Sequence, residues 1–381
     1  MAPKVSRRGA VPPFIVMDVL RAANERVAAG ADVVHLELGQ PATGAPKRVI
    51  ETAKRMLDTD PLGYTDALGI PILRERIAAH YRAAYGIAVA PERIVVTFGA
   101  SGGFILSFLA AFDPGDRVAL ADPSYPAYRN ILMALGIEPV LLPAGLESRF
   151  QPTVAHLEAA GDIDGLIVAS PSNPAGTMLH PDELAALAAW CRGRGVRLIS
   201  DEIYHGITYG ARAETALRYD DTAIVINSFS KYFSMTGWRI GWMVVPPDLD
   251  RPVECLTQNL YISVPTLSQY AAAAAFECID DLEANVAHYA ANRALMLEAL
   301  PKAGFDRLAP VEGAFYVYAD VSHLSNDSEA FCKAMLVDAG VASAPGIDFD
   351  TARGRRYVRF SFAGSQDQVA EGMRRLAAWR R

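Results

Sequence analysis

Short apolar runs recur through the middle of this chain without the polar alternation of a half-exposed strand. They include Val95-Val-Thr97, Leu166-Ile-Val-Ala169, Val196-Arg-Leu-Ile199 and Ala223-Ile-Val-Ile-Asn227. Runs that are apolar on both faces predict strands covered on both sides, as in a parallel sheet between helices. From residue 46 to 280 such runs alternate with helical segments, a βαβ pattern that predicts a mainly parallel sheet. Before it, Val16, Val19, Leu20, Ala23 and Val27 fall at helical spacing over 15–29, and Val11-Pro-Pro13 predicts an extended arm. After it, 281–300 reads as one long helix. Ala314-Phe-Tyr-Val-Tyr318 and Tyr357-Val-Arg-Phe360 read as strands, covered by helices near 328–339 and 366–380. The expected fold class is α/β. A large domain at 46–280 joins a smaller α+β domain built from 1–45 and 281–381, because 381 residues exceed one typical core.

The chemistry sits where these runs end. Ser228-Phe-Ser-Lys-Tyr-Phe-Ser-Met-Thr-Gly-Trp-Arg239 places Lys231 just after a strand, with hydroxyls at Ser228, Ser230 and Ser234 and a guanidinium at Arg239. An amine can form a Schiff base with an aldehyde, and hydroxyls and an arginine can hold a phosphate. An aldehyde and a phosphate on one small aromatic ring describe pyridoxal 5′-phosphate. Ser200-Asp-Glu-Ile-Tyr204 ends a second run. A carboxylate there is costly to bury without a partner. A protonated ring nitrogen is one partner for Asp201, and capping the next helix is an alternative use. Tyr204 is placed to reach the ring's phenolic oxygen. Ser170-Pro-Ser-Asn-Pro-Ala-Gly-Thr177 is a rigid turn that presents Asn173 to the same oxygen. Val95-Val-Thr-Phe-Gly-Ala-Ser-Gly-Gly103 reads strand, glycine turn, helix N-terminus, and its amides suit a phosphate. All four motifs are expected after parallel-type strands, so they should converge on the crevice outside the strands' carboxyl ends.

These residues resemble the class I/II aminotransferases of the fold-type-I pyridoxal-phosphate enzymes, the aspartate aminotransferase superfamily. The resemblance runs from Gly39-Gln-Pro41 to Arg359. It implies Lys231 as Schiff-base lysine and proton shuttle, with Asp201 on the ring nitrogen and Asn173 and Tyr204 on the phenolic oxygen. Gly99, Ala100, Ser101, Ser228, Ser230 and Arg239 would surround the phosphate, and Tyr125 would stack on the ring. Tyr64 would reach the phosphate from a partner subunit, which implies a homodimer with shared sites. Gly39, Asn173 and Arg359 would meet the substrate, Arg359 clamping its α-carboxylate as a bidentate fork. A salt bridge to an internal acid is the other use of a buried Arg359. The implied activity moves an amino group between an L-amino acid and a 2-oxo acid by a ping-pong route. The same residues also serve carbon–sulfur β-lyases and aminocyclopropane-carboxylate synthases. Phe14, Ile15 and Tyr261 suggest an apolar or aromatic substrate pocket, with Tyr261 placed to project into a neighbour's site. Donor and acceptor stay open.

Gly99-Ala-Ser-Gly-Gly103 also fits the Gly-x-Ser-x-Gly elbow of serine hydrolases, with Asp201 and His288 following. That reading leaves Lys231, Asn173 and Arg239 without roles. A non-catalytic cofactor-sensing module would need a DNA-binding extension, and no helix-turn-helix is expected before residue 15. A formal net charge of −7 argues against a nucleic-acid partner. The basic start, Lys4 with Arg7 and Arg8, lacks the apolar core of a signal peptide. No apolar run reaches the roughly 18 residues of a membrane span. Cys191, Cys255, Cys278 and Cys332 lack metal-ligand spacing and read as reduced cytoplasmic thiols. The seven histidines are scattered, so no metal is expected.

Overall fold

A computed structural model describes residues 3–379. The ends of the 1–45 and 281–381 segments, and residue 380 of the last predicted helix, lie outside the described residues. Strand β1 (Val34–His35) precedes the main sheet. That sheet contains β2 (Ile94–Thr97), β3 (Arg117–Asp122), β4 (Glu138–Pro143), β5 (Gly165–Ala169), β6 (Arg197–Asp201), β7 (Ile224–Ser228) and β8 (Gly241–Val244). Its order is β2-β8-β7-β6-β5-β3-β4. Strands β3 to β7 pair in parallel, whereas β8 is antiparallel to both β7 and β2. The expectation of a parallel neighbour for the Val95-Val-Thr97 strand is therefore corrected. A run buried on both faces reads the same in a mixed sheet, because burial, not direction, sets the pattern. Being antiparallel to β8, β2 still points the same way as β7, so all four motif strands end at one edge.

The strands are apolar on both faces because both are packed. Leu166 and Val168 of β5 and Val225 of β7 face one core with Trp242. Ile167, Ile224 and Ile226 face the other with Phe104, Phe108 and Tyr128. Two helices, Lys47–Thr59 and Pro71–Tyr85, precede β2. A second sheet orders β11 (Ala344–Pro345), β12 (Tyr357–Ser361) and β9 (Tyr316–Asp320), antiparallel throughout, while β10 (Val341–Ala342) pairs with β1. The first helix spans Ile15–Ala28, the long helix Ile279–Lys302 and the last Gln366–Ala378. The helix expected near 328–339 is α-helical over Ser328–Ala334 and widens to a π turn at Met335–Ala339. Among the described residues, no helix is long and apolar enough to cross a membrane.

Candidate active site

One cavity opens at the carboxyl edge of the main sheet, between it and the β12 sheet. At about 180 Å³ it holds several times the roughly 30 Å³ share of a water molecule, so it admits a small organic molecule. Twelve residues singled out in the sequence line it: Phe14, Gly39, Ala100, Ser101, Tyr125, Asn173, Asp201, Tyr204, Ser230, Lys231, Arg239 and Arg359.

Lys231 lies in the tight connection from β7 to β8. Its neighbours anchor that connection. Phe229 and Phe233 are buried with ring centroids 4.8 Å apart, and Phe229 packs edge-on against Trp242 at 5.0 Å. With the aromatics turned into the core, the half-buried Lys231 is left facing the cavity, where Nζ donates to the Gly39 carbonyl at 2.6 Å. Burial, reinforced by the charges of Arg359 and Arg239, lowers its pKa to about 8. Gly39 has no room for a side chain, since a Cβ there would stand 1.7 Å from the Tyr316 hydroxyl.

Asp201 ends β6 and is buried. Its Oδ2 accepts from the Tyr128 hydroxyl and its Oδ1 from the Ile203 N–H at 3.0 Å. Burial raises its pKa to about 6, against the opposing pull of Tyr128, the Ile203 amide and the Lys231 charge. No helix starts directly after Asp201, where the chain makes turns instead, so the helix-cap use does not arise. Tyr204 shares a hydrogen bond with Tyr316, oxygen to oxygen 2.8 Å, and burial holds its phenol protonated.

Arg359 sits in β12, stacked between the rings of Tyr316 (4.2 Å) and Phe349 (4.6 Å). It is 2% exposed. Nη1 donates to Asn173 Oδ1 at 2.7 Å and Nη2 to the Glu37 carbonyl, while the buried Nε has no partner. Among the described residues no carboxylate pairs with this guanidinium, so the internal salt bridge is absent.

The remaining end is built for an anion. The helix Gly99–Ala111 starts there with Gly99 at φ 65°, and a Cβ on Gly99 would meet Arg239 Nη2 at 2.7 Å. Arg239 is exposed, and its Nη1 donates to the Thr236 carbonyl at 3.0 Å. Ser228 lies behind the lining; its hydroxyl hydrogen-bonds that of Ser230 at 2.8 Å. Helix amides, a hydroxyl and a guanidinium together favour negative charge. The cavity thus offers an anion end, a proton-holding carboxylate, a neutralisable amine and a second cation.

Several residues singled out in the sequence lie outside this lining, among them Tyr64, which is expected to act on a partner subunit's site. Tyr64 is 83% exposed and lies outside the cavity of its own chain. Ile15 and Tyr261 do not line the cavity, although Phe14 does. Tyr261 instead packs edge-on against Phe98 at 4.7 Å. His288 hydrogen-bonds the Gly364 carbonyl at 3.0 Å and is absent from the lining that Ser101 shares, so no hydrolase triad forms. Two lining tyrosines were not singled out in the sequence. Tyr128 follows Tyr125 by one helical turn, and Tyr316 points inward from a strand read only as core. Among the described residues no group of acids, histidines and cysteines could hold a metal ion.

Comparison with known proteins identifies the family. The family described as "Aminotransferase class I and II" matches residues 31–376. The valine–pyruvate aminotransferase of Mycobacterium tuberculosis is 53% identical over 384 residues, covering 100% of this chain and 99% of the relative. The crystal structure of an aminotransferase from Mycobacterium tuberculosis superposes with a TM-score of 0.97 at 53% identity, covering 99% of each chain. Aspartate aminotransferase from Thermus thermophilus with maleate gives 0.93 at 31% identity, covering 99% of this chain and 100% of that one. The chain belongs to the class I and II aminotransferases, enzymes that move an amino group between an amino acid and a 2-oxo acid.

Proposed function

We propose that this aminotransferase uses pyridoxal 5′-phosphate and takes an amino donor with a compact apolar side chain, with pyruvate or a similar oxo acid as acceptor. The observation that carries the reading is the meeting, in one cavity, of a lowered-pKa amine, a buried carboxylate and a stacked guanidinium with an unpartnered Nε. The residues fit the group: the Gly99 turn and Arg239 suit its phosphate, Asp201 its ring nitrogen, Tyr125 its ring face, and Asn173 and Tyr204 its phenolic oxygen. When bound, the cofactor supplies an aldehyde for amines and a ring that withdraws electrons from the attached carbon.

Each side chain then has a task. Arg359 orients the substrate through its α-carboxylate. With the cofactor bound, Lys231 would be the base for the substrate's α-proton, since burial lowers its pKa to about 8 and leaves some neutral amine near neutral pH. Asp201 holds a proton on the ring nitrogen. The Tyr128 hydroxyl and the Ile203 amide favour the ionised carboxylate that this requires. A second oxo acid reverses the steps, so the kinetics are ping-pong.

Donor choice follows from the wall. Phe14, Val16 and Leu38 supply an apolar face, and the only cations among the lining residues are Lys231, Arg239 and Arg359, all with other tasks. A side-chain carboxylate on the donor would find no partner there. The name of the mycobacterial relative, valine–pyruvate aminotransferase, supports the same choice. Tyr64, exposed on its own chain, suits a homodimer in which each subunit completes its partner's phosphate site. We place the large domain at 46–280 and the smaller at 1–45 and 281–381, since the seven-stranded sheet lies within the first and the two smaller sheets within the second. The cytoplasm is the expected compartment.

A donor panel tests the proposal: valine, leucine, alanine, aspartate and glutamate, each with pyruvate or 2-oxoglutarate, read by formation of the new oxo acid. Valine-like donors should give the highest kcat/KM. An enzyme fastest with aspartate would overturn the donor reading.

A further inference from the structure

A second recess lies beside the active site. It is an apolar groove between the N-terminal arm and the helices Gly99–Ala111 and Pro126–Leu135, walled by Val11, Ile105, Ile131, Ala134 and Leu135. One side chain lines both the groove and the active-site cavity, that of Phe14. Its half-buried ring meets Tyr125 edge-on at 5.7 Å and packs against the cluster of Val16, Ala344 and Phe349. The backbone on either side is tied down. Asn130 Nδ2 donates to the Pro12 carbonyl at 3.5 Å, and the Val16 N–H donates to Asp348 Oδ2 at 3.0 Å. Phe14 is therefore a partition between the cavity that holds Lys231 and Arg359 and an apolar groove on its other side.

We propose that Phe14 sets the length of the donor side chain, by closing the active-site cavity against this groove. The inference rests on the reading above, in which the donor side chain lies along Phe14, Val16 and Leu38. A short apolar chain ends against the ring. A longer one has nowhere to go while the ring is in place, although an apolar channel lies directly behind it. Removing the ring joins the two spaces, and each methylene that enters the groove then leaves water for an apolar wall.

The test is a series of straight-chain donors, from L-2-aminobutyrate through norvaline and norleucine to L-2-aminooctanoate, with pyruvate as acceptor. In the wild-type holoenzyme kcat/KM should fall beyond norvaline. In Phe14→Ala it should instead climb roughly fourfold for each added methylene. Phe14→Trp should move the optimum toward 2-aminobutyrate. Ala134→Phe fills the groove from its far side: alone it should leave valine turnover unchanged, and combined with Phe14→Ala it should cancel the gain for the longest donors. The proposal is overturned if Phe14→Ala changes all donors by one common factor, if the wild type already accepts aminooctanoate as well as the variant does, or if Ala134→Phe leaves the variant's gain intact. A wild-type enzyme fastest with acidic donors would instead defeat the apolar-donor reading, and that result needs no Phe14 variant.

Discussion

Arg359 donates from Nη1 to the side-chain oxygen of Asn173 at 2.7 Å, in the cavity that also holds Lys231. That bond fixes which way the amide faces. With its oxygen taken by the guanidinium, Asn173 has its NH₂ group left to donate, which is the polarity a phenolic oxygen on the cofactor requires. One contact thus couples the proposed carboxylate clamp to the proposed ring contact.

If Arg359 is the clamp, Arg359→Lys should raise KM and lower kcat/KM for every donor and for the oxo-acid acceptor alike, because both half-reactions place the same carboxylate there. A lysine cannot make two parallel charge-assisted hydrogen bonds, and the loss should be on the order of 1.5–3 kcal/mol, roughly 10- to 150-fold. Cofactor content, read by absorbance after gel filtration, should be unchanged. A variant that loses the cofactor, or that turns over donors normally, would show Arg359 to be structural.

Asp201 carries a burial penalty that its proposed role would offset. Its folded-state pKa is raised from 3.8 to about 6 by burial. Burial therefore opposes the charged form: the penalty on folding is absent below the ordinary carboxylate range, grows as pH rises from about 4 to 6, and is full above that. Cofactor-free Asp201→Asn should be more stable than wild type at pH 7 to 8, by on the order of 2–3 kcal/mol, with the gain vanishing below about pH 4. Aminotransferase activity should collapse in the same variant. Denaturant melts at several pH values check this, and equal stabilities at pH 8 would contradict it.

Lys231, Asp201 and Asn173 were legible because each lies at or just beyond the end of a strand of the main sheet, where motif and position coincide. Arg359 was legible for another reason, as a lone cation inside the apolar run Tyr357–Ser361 of the second sheet. Tyr128 was not, since a tyrosine on a helix facing a core reads as packing until the carboxylate it touches is located. Tyr316 was hidden in the same way by strand alternation. The reversed direction of β8 left no trace, because burial on both faces erases the difference between parallel and antiparallel neighbours. Ile15 does not share Phe14's place in the lining, because successive positions at a helix start face different ways.

Tyr64 tests the shared-site homodimer. Hybrids carrying Tyr64→Phe in one chain and Lys231→Ala in the other should retain about half the wild-type activity per dimer if the phenol acts across the interface, because both lesions then fall in one site and spare the other. If Tyr64 served its own chain, no intact site would remain and the hybrid would show only residual turnover. Sedimentation of a fully active monomer would contradict the arrangement outright.

The most direct test of the account concerns Lys231. The holoenzyme is reduced with borohydride, digested, and its peptides mapped for a pyridoxyl group. The account expects the label on Lys231 alone, absent from Lys231→Ala. It also expects the cofactor-free protein to capture pyridoxal phosphate faster as pH rises through about 8, since the neutral amine is the reactive form. A label on any other lysine, or a holoenzyme that takes none, would contradict the assignment of the cavity as a pyridoxal-phosphate site.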